Sequence, residues 1–206
     1  MNDERIWAKE QFLEHVKDHE MTIIEDQTNE PRRHLRFRTP GTVIMGFDLI
    51  TWPGHLCITG DMGTYVFSRV NDMFSFFRRD DLSINPGYWT EKVLAADRHH
   101  GIEKFSLEKF RAAVVNDFRM AWEDQGFEGR MECWHELRNA LLDRHFDNGF
   151  EAVRAAMDFE HNGFNLQDFW ENCVDQLDFG YLWNLYAIVW GIKQYYKHYG
   201  NTQVAA

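Results

Sequence analysis

The chain has 206 residues, of which 44% are hydrophobic and 16% aromatic, and carries a formal net charge of −11. That length suits one domain with a substantial core, and 17 Phe with 8 Trp exclude a disordered adaptor and require an interior built on large flat rings. The acidity disfavours direct, non-specific nucleic-acid binding, which needs a positive surface to neutralise phosphates.

Residues 3–18 read as a helix, with Ile6, Trp7, Phe12, Leu13 and Val16 near helical spacing and acids on the other side. Residues 21–25 form a short β-branched segment. After the Asn29-Glu30-Pro31 break, residues 34–39 alternate clearly, Leu35 and Phe37 inward against Arg36 and Arg38 outward.

Residues 42–69 organise the rest. Val43, Met45, Phe47 and Leu49 share one face of a strand, Leu56 and Ile58 one face of the next, and Tyr65 and Phe67 one face of a third. Trp52-Pro53-Gly54 and Asp61-Met62-Gly63 supply short turns, so neighbouring strands pair antiparallel as a meander. Ile44, Ile50, Cys57 and Val66 on the opposite face predict partial cover by a helix. Asp48 and His55 interrupt these apolar strands, and the simpler expectation for both is a satisfied or edge-exposed polar group rather than a catalytic one.

Beyond Arg69 the pattern turns helical. A short helix is predicted over 72–79, then helices over 88–99, from Ser106 as N-cap to about Gly126, over 130–146, 150–159, 165–177 and 179–199. The last is apolar on several sides and is expected to be central, packed across the sheet. The fold class is therefore α+β: one domain over 1–206, with an N-terminal helix and an antiparallel sheet of about five strands in 1–69, covered by the helical 70–206.

Charge is unevenly spread. Residues 1–30 carry −6, residues 31–69 carry +3, and residues 70–206 carry −8. Arg32, Arg33, Arg36 and Arg38 lie in the basic stretch, where guanidinium groups two apart on a strand can hold phosphate or carboxylate. The competing explanation is that they pair with acids of the first helix or blunt a sheet edge. Arg32, Arg36 and Arg38, with Trp52 and His55, are the candidate binding residues.

No catalytic or metal motif is complete. His135-Glu136 begins an HExxH pattern, but Asn139 stands where the second histidine would be. His99-His100 is expected to cap a helix end, and the groupings Asp143, His145, Asp147 and Asp158, Glu160, His161 have the composition, though no fixed spacing, of a hard-metal site. Phosphate loops and a GxSxG elbow are absent from the sequence. No cofactor and no metal are expected. Cys57, Cys133 and Cys173 are odd in number and far apart, which fits a reducing compartment. The N-terminus lacks an apolar signal region, and the run around residues 181–192 is broken by Asn184 and too short to cross a bilayer, so a cytoplasmic location is expected.

The run FDLITWPGHLCITGDMGTYVFSR, followed by DMFSFFR and later by YAIVWGIKQY, resembles a group of small proteins encoded by tailed bacteriophages and prophages. The similarity spans most of the chain, from about His34 to Tyr196. It implies a mobile-element origin and action inside an infected bacterium, and it brings no catalytic residues. The expected function is that of a non-enzymatic accessory protein binding a host or phage protein, with counter-defence through an acidic, nucleic-acid-mimicking surface as its purpose. A metal-dependent enzyme acting on nucleotides or nucleic acid, and a homo-oligomeric structural component, are the alternatives.

Overall fold

The computed structural model describes residues 2–27, 30–125 and 129–204. In chain order the elements are α1 (Asn2–His15), β1 (Glu20–Gln27), β2 (Arg32–Arg38), β3 (Phe47–Trp52), β4 (His55–Gly60), β5 (Gly63–Ser68), α2 (Met73–Phe77), α3 (Pro86–Thr90) and β6 (Val93–Ala95). There follow β7 (Glu103–Phe105), α4 (Leu107–Gln125), α5 (Arg130–Leu137) running into a π-helical turn over Arg138–Leu142, and α6 (Gly149–Met157). Then come β8 (Glu160–His161), β9 (Phe164–Asn165), a 3-10 turn over Phe169–Glu171, β10 (Asp175–Leu177) and α7 (Phe179–Val204). Two compact units result: residues 1–102 with 177–206, and residues 103–176. Asn29 and Gly126, expected as element breaks, lie outside the described residues.

The first unit is a six-stranded antiparallel meander, β1 to β6 in sequence order, with helices including α7 on one face. Alternation decides that face: Leu35, Phe37, Phe47, Leu49, Leu56, Ile58, Tyr65 and Phe67 are all buried against residues such as Trp183, Ile188 and Ile192 of α7. Gly191 permits the close approach of the helix. A Cβ there would lie 2.7 Å from Leu49 Cδ1 and 3.1 Å from the Phe37 ring. Asn184, the polar break in the apolar run, is buried and donates from Nδ2 to the Met62 carbonyl at 2.6 Å and to that of Gly180 at 2.8 Å, tying α7 to the β4–β5 turn. Across the N-terminal helix, Phe12 sets its ring edge-on to Trp183, 5.2 Å between centroids.

Three sequence expectations fail here. Residues 42–46 are not strand: Val43 and Ile44 are exposed, Met45 sits at φ 55°, and β3 begins only at Phe47. Residues 88–99 are not one helix, because Val93–Ala95 pairs with the free edge of β5 and so satisfies backbone groups that a helix would have used. His99 and His100 consequently cap no helix. Their N–H groups donate to Asp97 Oδ1 at 2.8 and 3.0 Å, an interaction that holds the Asp97 carboxyl below its usual pKa. On the opposite face Ile50, Cys57 and Val66 are partly buried and belong to neither core.

The second unit has its own core, formed by Phe110, Val114 and Phe118 of α4 with Cys133, Leu137, Leu141, Ala152, Ala156 and Phe169. Ser106 caps α4 as expected, its Oγ accepting from Lys109 N at 3.3 Å. Asn162 and Gly163, both at positive φ, make the two-residue turn between β8 and β9. The expected helix over 165–177 is instead the 3-10 turn and β10, which pairs with β7. No helix among the described residues is long and apolar enough to cross a membrane.

Candidate binding surface

Because side chains alternate along β2, Arg32, His34, Arg36 and Arg38 fall on the sheet face opposite α7, while Arg33 falls on the core side. Antiparallel pairing with β3 sets Arg36 directly across from Asp48. The guanidinium grips the carboxylate with two bonds, Nε to Oδ1 at 3.1 Å and a terminal nitrogen to Oδ2 at 2.9 Å, and His34 Nε2 adds a third at 2.7 Å. Burial on its own would raise the Asp48 pKa. The bonds from Arg36 and His34 outweigh it and hold the carboxyl below its ordinary value. Asp48 is thus a satisfied polar group, as the simpler expectation had it.

Arg38 is different. Its terminal nitrogen lies 4.0 Å from Asp48 Oδ1, and its Nε is buried with no hydrogen-bond partner among the described residues. A donor left in that state costs about 1–3 kcal/mol and lies out of a ligand's reach, but the side chain is 40% exposed and its terminal nitrogens, which make no hydrogen bond among the described residues, are open to an anionic ligand. Over its stem runs the loop of residues 39–46. Gly46 lets the loop close down: a Cβ there would lie 3.0 Å from Arg38 Cγ and 2.9 Å from the Val43 carbonyl.

The loop is pinned at several points. Thr42 N donates to Thr39 O at 3.2 Å, Ile44 N to Thr42 Oγ1 at 3.1 Å, and Gly46 N to Val43 O at 3.0 Å. Asp61 accepts from Met45 N at 3.0 Å, and its own N–H donates to Gly46 O at 3.1 Å. His19 bridges both ends, Nε2 donating to Met45 O at 2.9 Å while Nδ1 meets Thr39 Oγ1 at 3.0 Å. This frame holds Val43 and Ile44 outward, 68% and 67% exposed. Between the loop and the strands lies an open depression of about 750 Å³, lined by Glu20, Thr22, Arg36, Arg38 and residues 39–44.

The remaining candidates sit apart from it. Trp52 and His55 face each other across the β3–β4 turn, their rings stacked at 5.0 Å and 9°, with His55 Nδ1 donating to Pro53 O at 3.0 Å. Both are half-buried. Arg32, at the same end of the sheet, pairs with Glu30 at 2.8 Å. Arg33 is structural, forked onto Asp72 at 2.9 and 3.2 Å, 4.7 Å above the Phe74 ring and bonded to the Tyr195 hydroxyl at 3.3 Å. Thr39-Pro40-Gly41-Thr42 signals a turn in the sequence, but nothing local extends that turn through Val43 and Ile44 to Gly46.

Elsewhere, His161 pairs with Glu136 at 2.8 Å, and His145 with Asp147 at 3.7 Å. No group of three or more His, Cys, Asp or Glu side chains among the described residues is placed to hold a metal ion. What the surface around Arg38 can do chemically is grip a carboxylate or phosphate while offering an apolar tip alongside. Comparison with family models, with curated proteins and with solved structures found no match to this chain.

Proposed function

We propose that this is a non-enzymatic accessory protein of phage type, acting in the cytoplasm of an infected bacterium, that binds a host or phage protein through the outer face of its sheet. The observation that carries the reading is the pinned loop: two aliphatic side chains held clear of the core, beside an arginine with unused donors. Arginine is enriched at the centres of protein interfaces, and exposed aliphatic side chains beside it offer apolar area to bury there. A loop already fixed by its own hydrogen bonds loses little freedom on docking, so more of the contact energy appears as affinity. The partner surface that fits is an apolar pocket with a carboxylate or phosphate at its edge.

The acidic stretches on either side, −6 over residues 1–30 and −8 over residues 70–206, support counter-defence as the purpose. Carboxylates presented where phosphates would lie compete for a nucleic-acid-binding partner and steer its approach. The test is capture from phage-infected lysate at low salt with the wild-type chain beside the triple variant Val43→Asp, Ile44→Asp, Arg38→Glu, each checked for unchanged far-ultraviolet circular dichroism. A protein held by the wild type and depleted roughly tenfold or more with the variant is expected. Equal retention by both, or no retained protein, contradicts the reading.

A further inference from the structure

Residues 103–176 contain 16 acidic and eight basic side chains, a net charge of −8 for the second unit. Three of those bases, Arg111, Arg119 and Arg138, nevertheless line one groove of about 640 Å³, in which Asp143 is the lone acid. Arg111, Val115 and Arg119 stand at four-residue steps on α4 and form a single exposed stripe. The facing wall is the π-helical turn, which brings Arg138 and Leu142 to the groove and is closed by Asp143 N donating to Arg138 O at 2.9 Å. Such insertions interrupt an otherwise regular helix at a cost and recur at functional sites.

The arginines are underused where they stand. Arg119 is bonded to Asn116 at 3.1 Å, Arg138 uses Nε on Asp143 at 3.1 Å, and Arg111 makes no hydrogen bond or ion pair among the described residues. We propose that this groove docks an acidic amphipathic helix of a partner protein. Eight residues of α4 rise about 12 Å, which matches the separation of two acidic residues two turns apart on a helix laid alongside. An apolar side chain midway between those acids meets Val115 and Leu142. A helix laid alongside engages Arg111 and Arg119, at the two ends of the stripe, together. The groove belongs to the second unit, so the inference does not depend on the loop of residues 39–46.

The test uses the full chain and a labelled helical peptide of about twenty residues with glutamates two turns apart and leucine between them, beside the same peptide with lysine for glutamate. Fluorescence anisotropy is expected to show binding of the glutamate peptide, weakening as salt rises, and none of the lysine peptide. Arg111→Glu with Arg119→Glu is expected to weaken the first roughly tenfold or more and to gain the second, a reversal that a misfolded variant could not give. Arg111→Gln with Arg119→Gln is expected to show the loss without the gain. Binding of neither peptide by the wild type, equal binding of both, or an undiminished affinity in the glutamine variant overturns the proposal. So does displacement of the peptide by inorganic phosphate beyond that by chloride at equal ionic strength, which would make the groove a small-anion site.

Discussion

The two faces of the sheet put the same residue type to opposite uses. On the α7 side, Arg33 is enclosed by Asp72, Phe74 and Tyr195, with its donors engaged and its charge answered. On the other side, Arg36 is forked onto Asp48, and Arg38, two residues further along the strand, keeps a buried Nε without a partner beneath an exposed aliphatic tip. The core side contains what a fold requires: rings in contact, paired charges, and a glycine where the helix crosses. The outer side adds one answered charge, Asp48 under Arg36 and His34, and beside it an arginine that no carboxylate forks. A basic stretch on a strand is thus not one feature: Arg33 and Arg36, on opposite faces, each support the structure through a forked carboxylate, while Arg38 lacks such a fork and keeps terminal donors for a ligand.

Substitutions can break that contrast at graded strength. The largest effect is expected at Phe37, wholly buried between Phe47 and Trp190: Phe37→Ala should lower the unfolding free energy by about 3–5 kcal/mol in chemical denaturation. Next comes Arg33→Met, which leaves Asp72 and Asp26 without their cation. A loss of about 2 kcal/mol is expected, less than for a fully enclosed pair because Asp72 is about one-third exposed.

Asp48→Asn is expected to lose about 1 kcal/mol near neutral pH, since the outer pair is open to water on the Arg36 side. Its pH dependence sharpens the comparison. The Asp48 carboxyl is held below its ordinary pKa, so its contribution is complete above the unfolded value and is lost as pH falls through the folded one. Denaturation curves of wild type and variant should therefore begin to converge as pH falls below about 4 and meet only once it is below the depressed folded value. The smallest effect on stability belongs to Arg38→Ala, where losing the stem packed under Gly46 is offset by removing the unpartnered Nε: a net change within about 1 kcal/mol of wild type is expected, together with a marked loss of captured partner. A variant that unfolds without losing its partner would erase the division between the faces.

Much of this architecture is legible in the amino-acid sequence for a local reason. The alternation of Leu35 and Phe37 with Arg36 and Arg38, the turns at Gly54 and Gly63, and the all-round apolarity of α7 each report structure from adjacent residues. What stays hidden depends on distant partners. Val93–Ala95 becomes a strand only because β5 offers an open edge, and Asp48 becomes the centre of a cluster only through its register with β2. For the candidate surface, alternation along β2 places Arg36 and Arg38 on the outer face, as the structure has them. Val43 and Ile44 were assigned to a strand because aliphatic character alone does not distinguish a core position from an outward tip. Gly46, Asp61 and His19, which create that tip, are spread over 43 residues of chain.

Amide hydrogen exchange across residues 39–46 of the free protein tests the central claim, a recognition tip fixed before any partner arrives. Slow exchange is expected at Met45 and Gly46, whose N–H groups are held by Asp61 and by the Val43 carbonyl, beside fast exchange at Val43, for which no such bond exists among the described residues. Exchange at Met45 and Gly46 as fast as in an unstructured peptide would contradict it.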